Sequence, residues 1–450
     1  MLRSESPART IATRRTLKYV VGLALTALAL SSAVACSSGS ESPQATPTKT
    51  ATTASVLPVP TGQYTVGTQY LHLVDDDRDN AVITGSTAPR EIMVQVLYPA
   101  EDDATVPYRS YARGSAELVV PPPYDARLTA VTTHAKENLA LADDQSRYPV
   151  VLFSHGLGVP MELYTSQYED LASHGYVVVA VDHTYLAGVS LLPGGSVELD
   201  EAAYASLEEK YPGLELAEME SQIMTDDAVF VIDALTELDD GTRDSGFAGR
   251  LDLDRLGITG HSLGGATAYE LALTDSRIKA AINMDGGVWT APQDGATPAP
   301  FLMLSAPDGA AELVDPEFDM CSLETLTEAE RNQLLEEFED EAAYVAECRE
   351  MQEGMRAYTD GLAGVLAASQ TLFVIEGSAH LSYTDLGLFA ESEQELELIG
   401  LGSQIKPQRA LEITQAVTLA FFDQHLKGDT TVTLDSLVDG YAELRHVELG

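Results

Sequence analysis

The stretch Ile258-Thr-Gly-His-Ser-Leu-Gly-Gly-Ala-Thr-Ala-Tyr-Glu270 holds Ser262 between two glycines in the pattern Gly-x-Ser-x-Gly. A short, partly apolar run at 255–259 precedes the serine, and Ala and Leu recur at helical spacing over 265–274. This order predicts a buried strand, a sharp turn at Ser262 and a helix. In a nucleophile elbow of this type, the glycines relieve crowding and the helix start favours developing negative charge. A glycine-rich packing turn produces the same pentapeptide, so partner residues must decide between the two interpretations.

Apolar runs alternate with helical segments along most of the chain. Two early strands are expected at 63–74 and 91–98. Later strands are expected at 148–153, 177–181, 256–259, 278–284, 301–305 and 371–375. Such alternation predicts an α/β fold with a mostly parallel sheet and helices on both faces, and reactive groups in these sheets collect at the carboxyl ends of strands.

Three predicted strands end in polar residues of the kind that a hydrolase needs. The loop 154–158, Ser-His-Gly-Leu-Gly, follows one strand and is able to point backbone N–H groups inward. Asp285 and His380 follow two others. The chain order Ser262, Asp285, His380 is the order of serine, acid and histidine in α/β-hydrolases. Together these positions favour catalysis over a packing turn.

Two alternatives for the partners of the serine stay open. Asp308 also follows a predicted strand and occupies the commoner location of the acid, so it competes with Asp285. His183 ends another strand and is an alternative base, although it precedes the serine and breaks the chain order. His155 lies in the loop 154–158 and His261 directly precedes the serine, and at both positions packing or hydrogen bonding is favoured over proton transfer.

These segments resemble the α/β-hydrolase family of plasma-type (group VII) platelet-activating-factor acetylhydrolases and their bacterial relatives. The resemblance covers roughly residues 62–428. It rests on Tyr148-Pro-Val-Val-Leu-Phe-Ser-His-Gly-Leu-Gly158, Gly260-His-Ser-Leu-Gly-Gly-Ala-Thr267, Asn283-Met-Asp-Gly286, Gly377-Ser-Ala-His380 and the terminal helix Phe421-Phe-Asp-Gln-His-Leu-Lys-Gly428. The acidic insertion at 310–370 departs from the family pattern and bears on the choice of substrate more than on the type of reaction.

The resemblance implies a serine ester hydrolase that cleaves short or oxidised acyl esters of phospholipid-like substrates without a cofactor or metal. It implies that Ser262 is the nucleophile, His380 the base and Asp285 the acid, with the backbone N–H groups of Leu157 and Leu263 as the oxyanion hole. A general carboxylesterase or cutinase-like polyester hydrolase is the first alternative. A noncatalytic surface-binding lipoprotein is the second.

The amino-terminal segment is expected to lie outside the fold. A basic start and an apolar run at 19–30 lead to Ser-Ser-Ala-Val-Ala-Cys36, which predicts a lipoprotein signal peptide at 1–35 and lipidation of Cys36. An ordinary signal peptide is the alternative, and the choice between general and twin-arginine export stays open. Residues 36–60 read as a disordered tether. We therefore expect an exported protein, lipid-anchored to the outer face of a bacterial cell membrane, with one α/β-hydrolase domain at 61–450.

The net charge argues against one class of partner, and the cysteines indicate a disulfide and not a metal site. Lys and Arg number 26 against 70 Asp and Glu, giving a formal charge of -44, which argues against nucleic acid because phosphate binding needs a basic patch. Export would place Cys321 and Cys348 in an oxidising compartment, where they are expected to form a disulfide. Neither lies in a CxxC pair or beside a histidine, which argues against a metal site. Both lie in the insertion 310–370, predicted to be an acidic helical cap whose role, lid or structural cover, stays open.

Overall fold

The computed structural model describes residues 57–112, 124–198, 201–211, 213–243, 246–289, 297–315, 319, 321–323, 331, 338, 340–369, 371–402 and 404–449. The predicted signal peptide, the lipidation site Cys36 and most of the predicted tether lie outside these residues. The predicted tether, 36–60, extends too far, because Leu57 is only 3% exposed and its apolar side chain packs in the core. Within the described residues, every helix is too short or too polar to span a bilayer.

The described strands and helices alternate from the first third of the chain onward. The strands are β1 (Thr65–Asp79), β2 (Pro89–Ala100), β3 (Tyr108–Ser110), β4 (Thr132–Glu137), β5 (Tyr148–Ser154), β6 (Val177–Asp182), β7 (Val189–Leu192), β8 (Gly195–Glu198), β9 (Leu251–His261), β10 (Ile278–Met284), β11 (Phe301–Ser305), β12 (Leu372–Ile375) and β13 (Leu444–Val447). The α-helices are α1 (Tyr124–Ala130), α2 (Thr165–Ser173), α3 (Glu201–Lys210), α4 (Leu214–Asp240), α5 (Leu263–Thr274), α6 (Pro307–Val314), α7 (Glu341–Ser369), α8 (Glu393–Leu398), α9 (Pro407–Phe422) and α10 (Leu434–Gly440).

One sheet of eleven described strands organises the domain, in the order β13-β12-β11-β10-β9-β5-β6-β2-β1-β4-β3. Its centre, from β6 through β5, β9, β10 and β11 to β12, is parallel throughout. Strand β2 pairs antiparallel with β6, and β13 pairs antiparallel with β12. The predicted mostly parallel α/β sheet is confirmed.

The sheet divides the hydrophobic core into two layers. Every residue of β5 is buried, and successive side chains of a strand point to opposite faces. Val151 and Phe153 accordingly join one core cluster, while Val150 and Leu152 join the other. Because both faces are covered, the central strands read as continuous apolar runs rather than alternating ones.

Helices cover both faces, as the sequence predicts. Leu171 of α2 and Leu411 of α9 pack in the first cluster. Leu235 of α4 and Leu271 of α5 pack in the second. Strand β9 begins at Leu251, earlier than the predicted 256, because its first residues pair with the start of β5.

The insertion 310–370 combines a sheet-covering helix with a small disulfide-linked lobe. Cys321 and Cys348 are joined in a disulfide with their Cα atoms 5.7 Å apart, and they pack with Phe338 and Tyr344. Farther along α7, Leu366 packs in the core of the sheet. The second half of the insertion therefore belongs to the helical layer of the main domain.

Candidate active site

The predicted elbow at Ser262 is present as a strained turn between β9 and α5. Ser262 has φ 56° and ψ −124°, a backbone conformation that non-glycine residues rarely adopt. Its N–H donates to the carbonyl oxygen of Met284 at the end of β10, 2.9 Å away. Strain of this kind is retained where the surrounding structure imposes it, and it is concentrated at functional sites.

The glycines of the pentapeptide allow the backbone to make this turn. A Cβ atom at Gly260 would lie 2.2 Å from the carbonyl oxygen of Gly264. A Cβ atom at Gly264 would lie 2.1 Å from the carbonyl oxygen of Ser154 at the end of β5. Only residues without side chains let the elbow pack this closely against the neighbouring strand.

The structure brings Ser262, Asp285 and His380 together. The Nε2 atom of His380 lies 3.0 Å from Ser262 Oγ, and its Nδ1 atom lies 2.8 Å from Asp285 Oδ2. A carboxylate accepts only, so Nδ1–H donates to Asp285 and Nε2 is free to accept the serine proton. The His380 side chain is 37% exposed whereas that of Asp285 is 6% exposed, so solvent reaches the base and not the acid.

Asp285 is held as an anion by several donors. Ser305 Oγ and the backbone N–H of Ala306 each donate to its Oδ1 atom over 2.8 Å. Burial by itself raises the pKa of Asp285, but the hydrogen bonds from His380, Ser305 and Ala306 and the charge of His380 outweigh it and lower the pKa. In the sequence, the only signal for Ser305 is its position at the end of β11, the strand next to β10.

The competing acid, Asp308, lies in the first turn of α6. This helix begins beside the Asp285 carboxylate, since a Cβ atom at Gly309 would lie 2.6 Å from Asp285 Oδ1. The hydrogen bond to His380 nevertheless comes from Asp285. Asp308 is thus a neighbour of the site, and its placement at a helix start accounts for an acidic residue there.

The competing base, His183, belongs to a separate buried network. Its Nδ1 atom lies 3.1 Å from Asp227 Oδ2, and its Nε2 atom lies 3.2 Å from Ser154 Oγ. Arg90 donates to both oxygens of Asp227, at 3.1 and 2.6 Å. The backbone N–H of His183 donates to His155 Nε2 over 3.0 Å. Both nitrogens of His183 are engaged in this network, which favours a structural role.

Charge pairing keeps Asp227 ionised despite its burial. Burial raises the pKa of Asp227, but Arg90 and His183 outweigh that effect and hold it well below its ordinary value. Burial lowers the pKa of His183, opposed by its hydrogen bond to Asp227. No local sequence pattern links Arg90 to Asp227, because the two residues lie 137 positions apart in the chain.

The two residues predicted to form the oxyanion hole lie on either side of the elbow. Leu263 is the first residue of α5, so its N–H is among the donors that a helix leaves unpaired at its start. Leu157 lies in the loop after β5, and the next residue, Gly158, donates its N–H to Leu186 O over 2.7 Å. The side chains of both leucines pack in one apolar cluster with Trp289.

That cluster, which we call the elbow cluster, joins Leu157 and Leu263 to three helices, α3, α4 and α7. Tyr204 and Leu207 come from α3, Leu216 and Met224 from α4, and Met351 from α7. The elbow therefore lies against an apolar surface built from distant parts of the chain.

Glu220 of α4 is an acidic residue buried next to the elbow cluster. It is 1% exposed, and its Oε1 atom makes no hydrogen bond within the described residues. Burial, assisted by the nearby Glu208, raises its pKa to about 8. The carboxyl group accordingly carries a proton at neutral pH.

Among the described residues, no group of three or more His, Cys, Asp or Glu is placed to hold a metal ion.

Comparison with known proteins assigns the chain to a family. The family model described as platelet-activating factor acetylhydrolase, isoform II, matches residues 49–192 and 231–443. The chain belongs to this family. Both matched segments carry site residues: the first includes Leu157, and the second includes Ser262, Asp285 and His380.

Individual relatives are distant in sequence. A platelet-activating factor acetylhydrolase of the dog, Canis lupus familiaris, is 25% identical over 47% of this chain and 54% of its own length. One from the guinea pig, Cavia porcellus, is 23% identical over 77% of this chain and 76% of its own length. The chain thus matches about half of one relative and three quarters of the other.

A solved structure shares the fold. A ferulic acid esterase from Streptomyces cinnamoneus superposes with a TM-score of 0.61 and 26% sequence identity, covering 86% of this chain and 98% of that chain. The predicted α/β-hydrolase fold is confirmed.

Proposed function

We propose that the protein is a serine ester hydrolase that cleaves short or oxidised acyl esters of phospholipid-like substrates through an acyl-enzyme. The observation that carries the proposal is the hydrogen-bonded series from Ser262 through His380 to Asp285 at a strained elbow. Membership of the acetylhydrolase family supports the substrate class.

The reaction begins with attack by Ser262 Oγ on the ester carbonyl carbon. A serine hydroxyl is a weak nucleophile, so His380 Nε2, 3.0 Å away, takes its proton as the new carbon–oxygen bond forms. Asp285, held ionised by its donors, keeps Nδ1–H in place and stabilises the imidazolium that results.

The carbonyl oxygen becomes an oxyanion in the tetrahedral intermediate. The backbone N–H groups of Leu157 and Leu263 donate to it, and the start of α5 adds a favourable dipole. Each such donor contributes roughly 3 to 4 kcal/mol to transition-state stabilisation in enzymes of this kind.

The intermediate collapses when the imidazolium gives its proton to the leaving alcohol. The carbon–oxygen bond to that alcohol breaks and the acyl group stays on Ser262. Water then attacks the acyl-enzyme while His380 accepts a proton from it. The carbon–oxygen bond to Ser262 breaks, the imidazolium returns that proton to Ser262 Oγ, and the carboxylic acid leaves. Solvent exposure of the His380 side chain, 37%, supports its access to that water.

The elbow cluster supports an apolar acyl group beside the nucleophile. Leu157, Leu263 and Trp289 place apolar surface next to the elbow, and burial of such surface contributes about 25 cal/mol per Å².

A general carboxylesterase is the second candidate. The structural likeness to a ferulic acid esterase, which covers 98% of that chain, is the observation that favours it. Both candidates use the same triad and differ in the alcohol and acyl groups that they accept.

We also propose export and lipid anchoring through Cys36. The sequence of the amino-terminal segment supports a lipoprotein signal, and the Cys321–Cys348 disulfide is consistent with an oxidising compartment. A lipoprotein anchor carries more than one acyl chain, and two chains are what stable membrane attachment requires.

A substrate comparison tests the proposed function. The purified protein is assayed with a short-acyl phosphatidylcholine, a long-acyl phosphatidylcholine and short p-nitrophenyl esters. We expect hydrolysis of the short-acyl phospholipid with a kcat/KM well above that of its long-acyl counterpart. Turnover of p-nitrophenyl esters alone would favour the general carboxylesterase, and turnover of none would favour a noncatalytic binding protein.

A further inference from the structure

A second series of hydrogen bonds runs behind the triad. The backbone N–H of Gly156 donates to the hydroxyl of Tyr164 over 3.0 Å. That hydroxyl lies 2.8 Å from Nδ1 of His261, and Nε2 of His261 lies 2.8 Å from the backbone carbonyl oxygen of His380. The series links the loop 154–158, which carries Leu157 and is called the oxyanion loop here, to the residue before the nucleophile and to the backbone of the base.

The chemistry of the partners fixes each proton in this series. The carbonyl oxygen of His380 only accepts, so Nε2 of His261 carries the proton. Nδ1 of a neutral ring is then an acceptor, and it receives the hydroxyl proton of Tyr164. The tyrosine oxygen in turn accepts from Gly156. Every bond is satisfied by a neutral His261 with its proton on Nε2.

Burial keeps His261 neutral. Tyr164 and His261 are both 0% exposed. Desolvation, followed by the nearby charge of His380, lowers the pKa of His261 to about 3. The ring thus holds one protonation state across the physiological range, as a fixed hydrogen-bonded link requires.

The backbone at Gly156 is packed closely against His261 and Ser262. A Cβ atom at this position would lie 3.1 Å from His261 Nδ1 and 3.2 Å from Ser262 Cβ. The rings of His261 and His380 have centroids 4.6 Å apart. A shift of the oxyanion loop is therefore passed directly to the elbow and to the base.

We propose that Tyr164 and His261 are positioning residues for ester hydrolysis. They hold the oxyanion loop and the backbone of His380 in fixed positions around Ser262. This inference rests on the proposed function. Neither residue is assigned a proton transfer to substrate. They act by fixing geometry, and a displacement of about 1 Å at a reacting group lowers rates on the order of 100-fold.

The chain offers a matched control in Tyr168, one helical turn later. Tyr164 and Tyr168 are both 0% exposed, and their rings pack against Phe153 with centroids 5.0 and 4.9 Å away. The Tyr168 hydroxyl donates to Met161 O over 2.9 Å. Tyr168→Phe thus removes one buried tyrosine hydroxyl and one hydrogen bond, and it leaves every hydrogen bond between Gly156, Tyr164, His261 and His380 in place.

The kinetic test compares Tyr164→Phe with Tyr168→Phe in the full exported protein, using a short p-nitrophenyl ester. We expect both variants to fold, with the larger loss of thermal stability in Tyr164→Phe, since it leaves two buried hydrogen-bond partners unsatisfied and Tyr168→Phe leaves one. We expect kcat to fall by about 10- to 100-fold in Tyr164→Phe alone, with KM changed less than about twofold. Equal kcat values in the two folded variants would overturn the proposal.

A spectroscopic test needs no turnover and applies even if Tyr164→Phe fails to fold. The ring nitrogens of His261 in the wild-type protein are followed by ¹⁵N NMR from pH 5 to 8, with His261→Gln used for assignment. We expect a neutral ring protonated on Nε2 throughout. A proton on Nδ1, or a charged ring at pH 7, would overturn the proposal. If the wild type shows this tautomer but hydrolyses no ester, the proposed function fails and the hydrogen-bond assignment stands.

Discussion

Nδ1 of His380 lies 2.8 Å from Oδ2 of Asp285, although the two residues are 95 positions apart in the chain. Each follows a strand of the parallel sheet, β12 for the histidine and β10 for the aspartate. Strand β11, which lies between them in the sheet, contributes Ser305 as a further donor to the same carboxylate. The position of the acid is thus set by three strand ends acting together.

Replacing Asp285 by Asn keeps its shape and removes its charge. We expect kcat to fall by about four orders of magnitude, because the neutral amide no longer stabilises the correct tautomer or the imidazolium. Asp308→Asn is the matched control, since it makes the same change in the first turn of α6. Steady-state kinetics at neutral pH on both folded variants measures the ranking, and the reverse ranking would move the acid to Asp308.

The raised pKa of Glu220 predicts that the folded protein loses stability as the pH rises. Its pKa is raised from 4.5 to about 8, so between these pH values the folded chain keeps a proton that the unfolded chain loses. This group therefore makes stability fall as pH rises through that window. Glu220→Gln removes the ionisation, and its free energy of unfolding should exceed that of the wild type by a margin that grows toward pH 8, on the order of several kcal/mol.

The control for Glu220 is Glu215→Gln, which removes the same charge from an exposed position of the same helix. Denaturant unfolding at pH 4.5, 6 and 8 gives the comparison. Curves for Glu220→Gln and wild type that stay parallel across this range would show that Glu220 ionises freely in the folded protein.

The Cys321–Cys348 disulfide closes a loop with a sequence separation of 27. In the chain-entropy model, a loop of this size stabilises the folded state by roughly 3 to 4 kcal/mol. We expect a cross-linked peptide in nonreducing mass spectrometry and a lower melting temperature after reduction. Two free thiols in protein purified without reductant would contradict both expectations.

Anchoring depends on Cys36 in our proposal. Cys36→Ala removes the site of lipid attachment, so the variant should move from the membrane fraction to the soluble fraction of cells. Ester hydrolysis by the released protein serves as the control, because the substitution lies outside the described domain. Identical partitioning of variant and wild type would reject the lipoprotein assignment.

Ser262, Asp285 and His380 can be selected from the sequence because each has a recognisable local signal. Ser262 has its glycines beside it, and Asp285 and His380 each follow an apolar run that is easily recognised as a strand. Strand β10 begins and ends as predicted, at 278 and 284, because it is a buried run with clear boundaries.

Other features depend on contacts between distant residues. Asp227 reads as one more acidic residue on a helix until the fold brings Arg90 and His183 to it. Glu220 likewise shares its helix with exposed acids such as Glu215, and only the packing of α3 and α5 against α4 explains its burial. No local pattern separates these buried carboxylates from solvated ones.

The central claim is that Ser262 is the nucleophile, and covalent labelling tests it most directly. A fluorophosphonate probe is incubated with wild-type protein and with Ser262→Ala, and the modified peptide is sequenced by mass spectrometry. We predict one phosphonylated residue, Ser262, with loss of ester hydrolysis in proportion to labelling, and no labelling of the folded Ser262→Ala variant. Labelling at a different residue, or full ester hydrolysis by Ser262→Ala, would contradict the account.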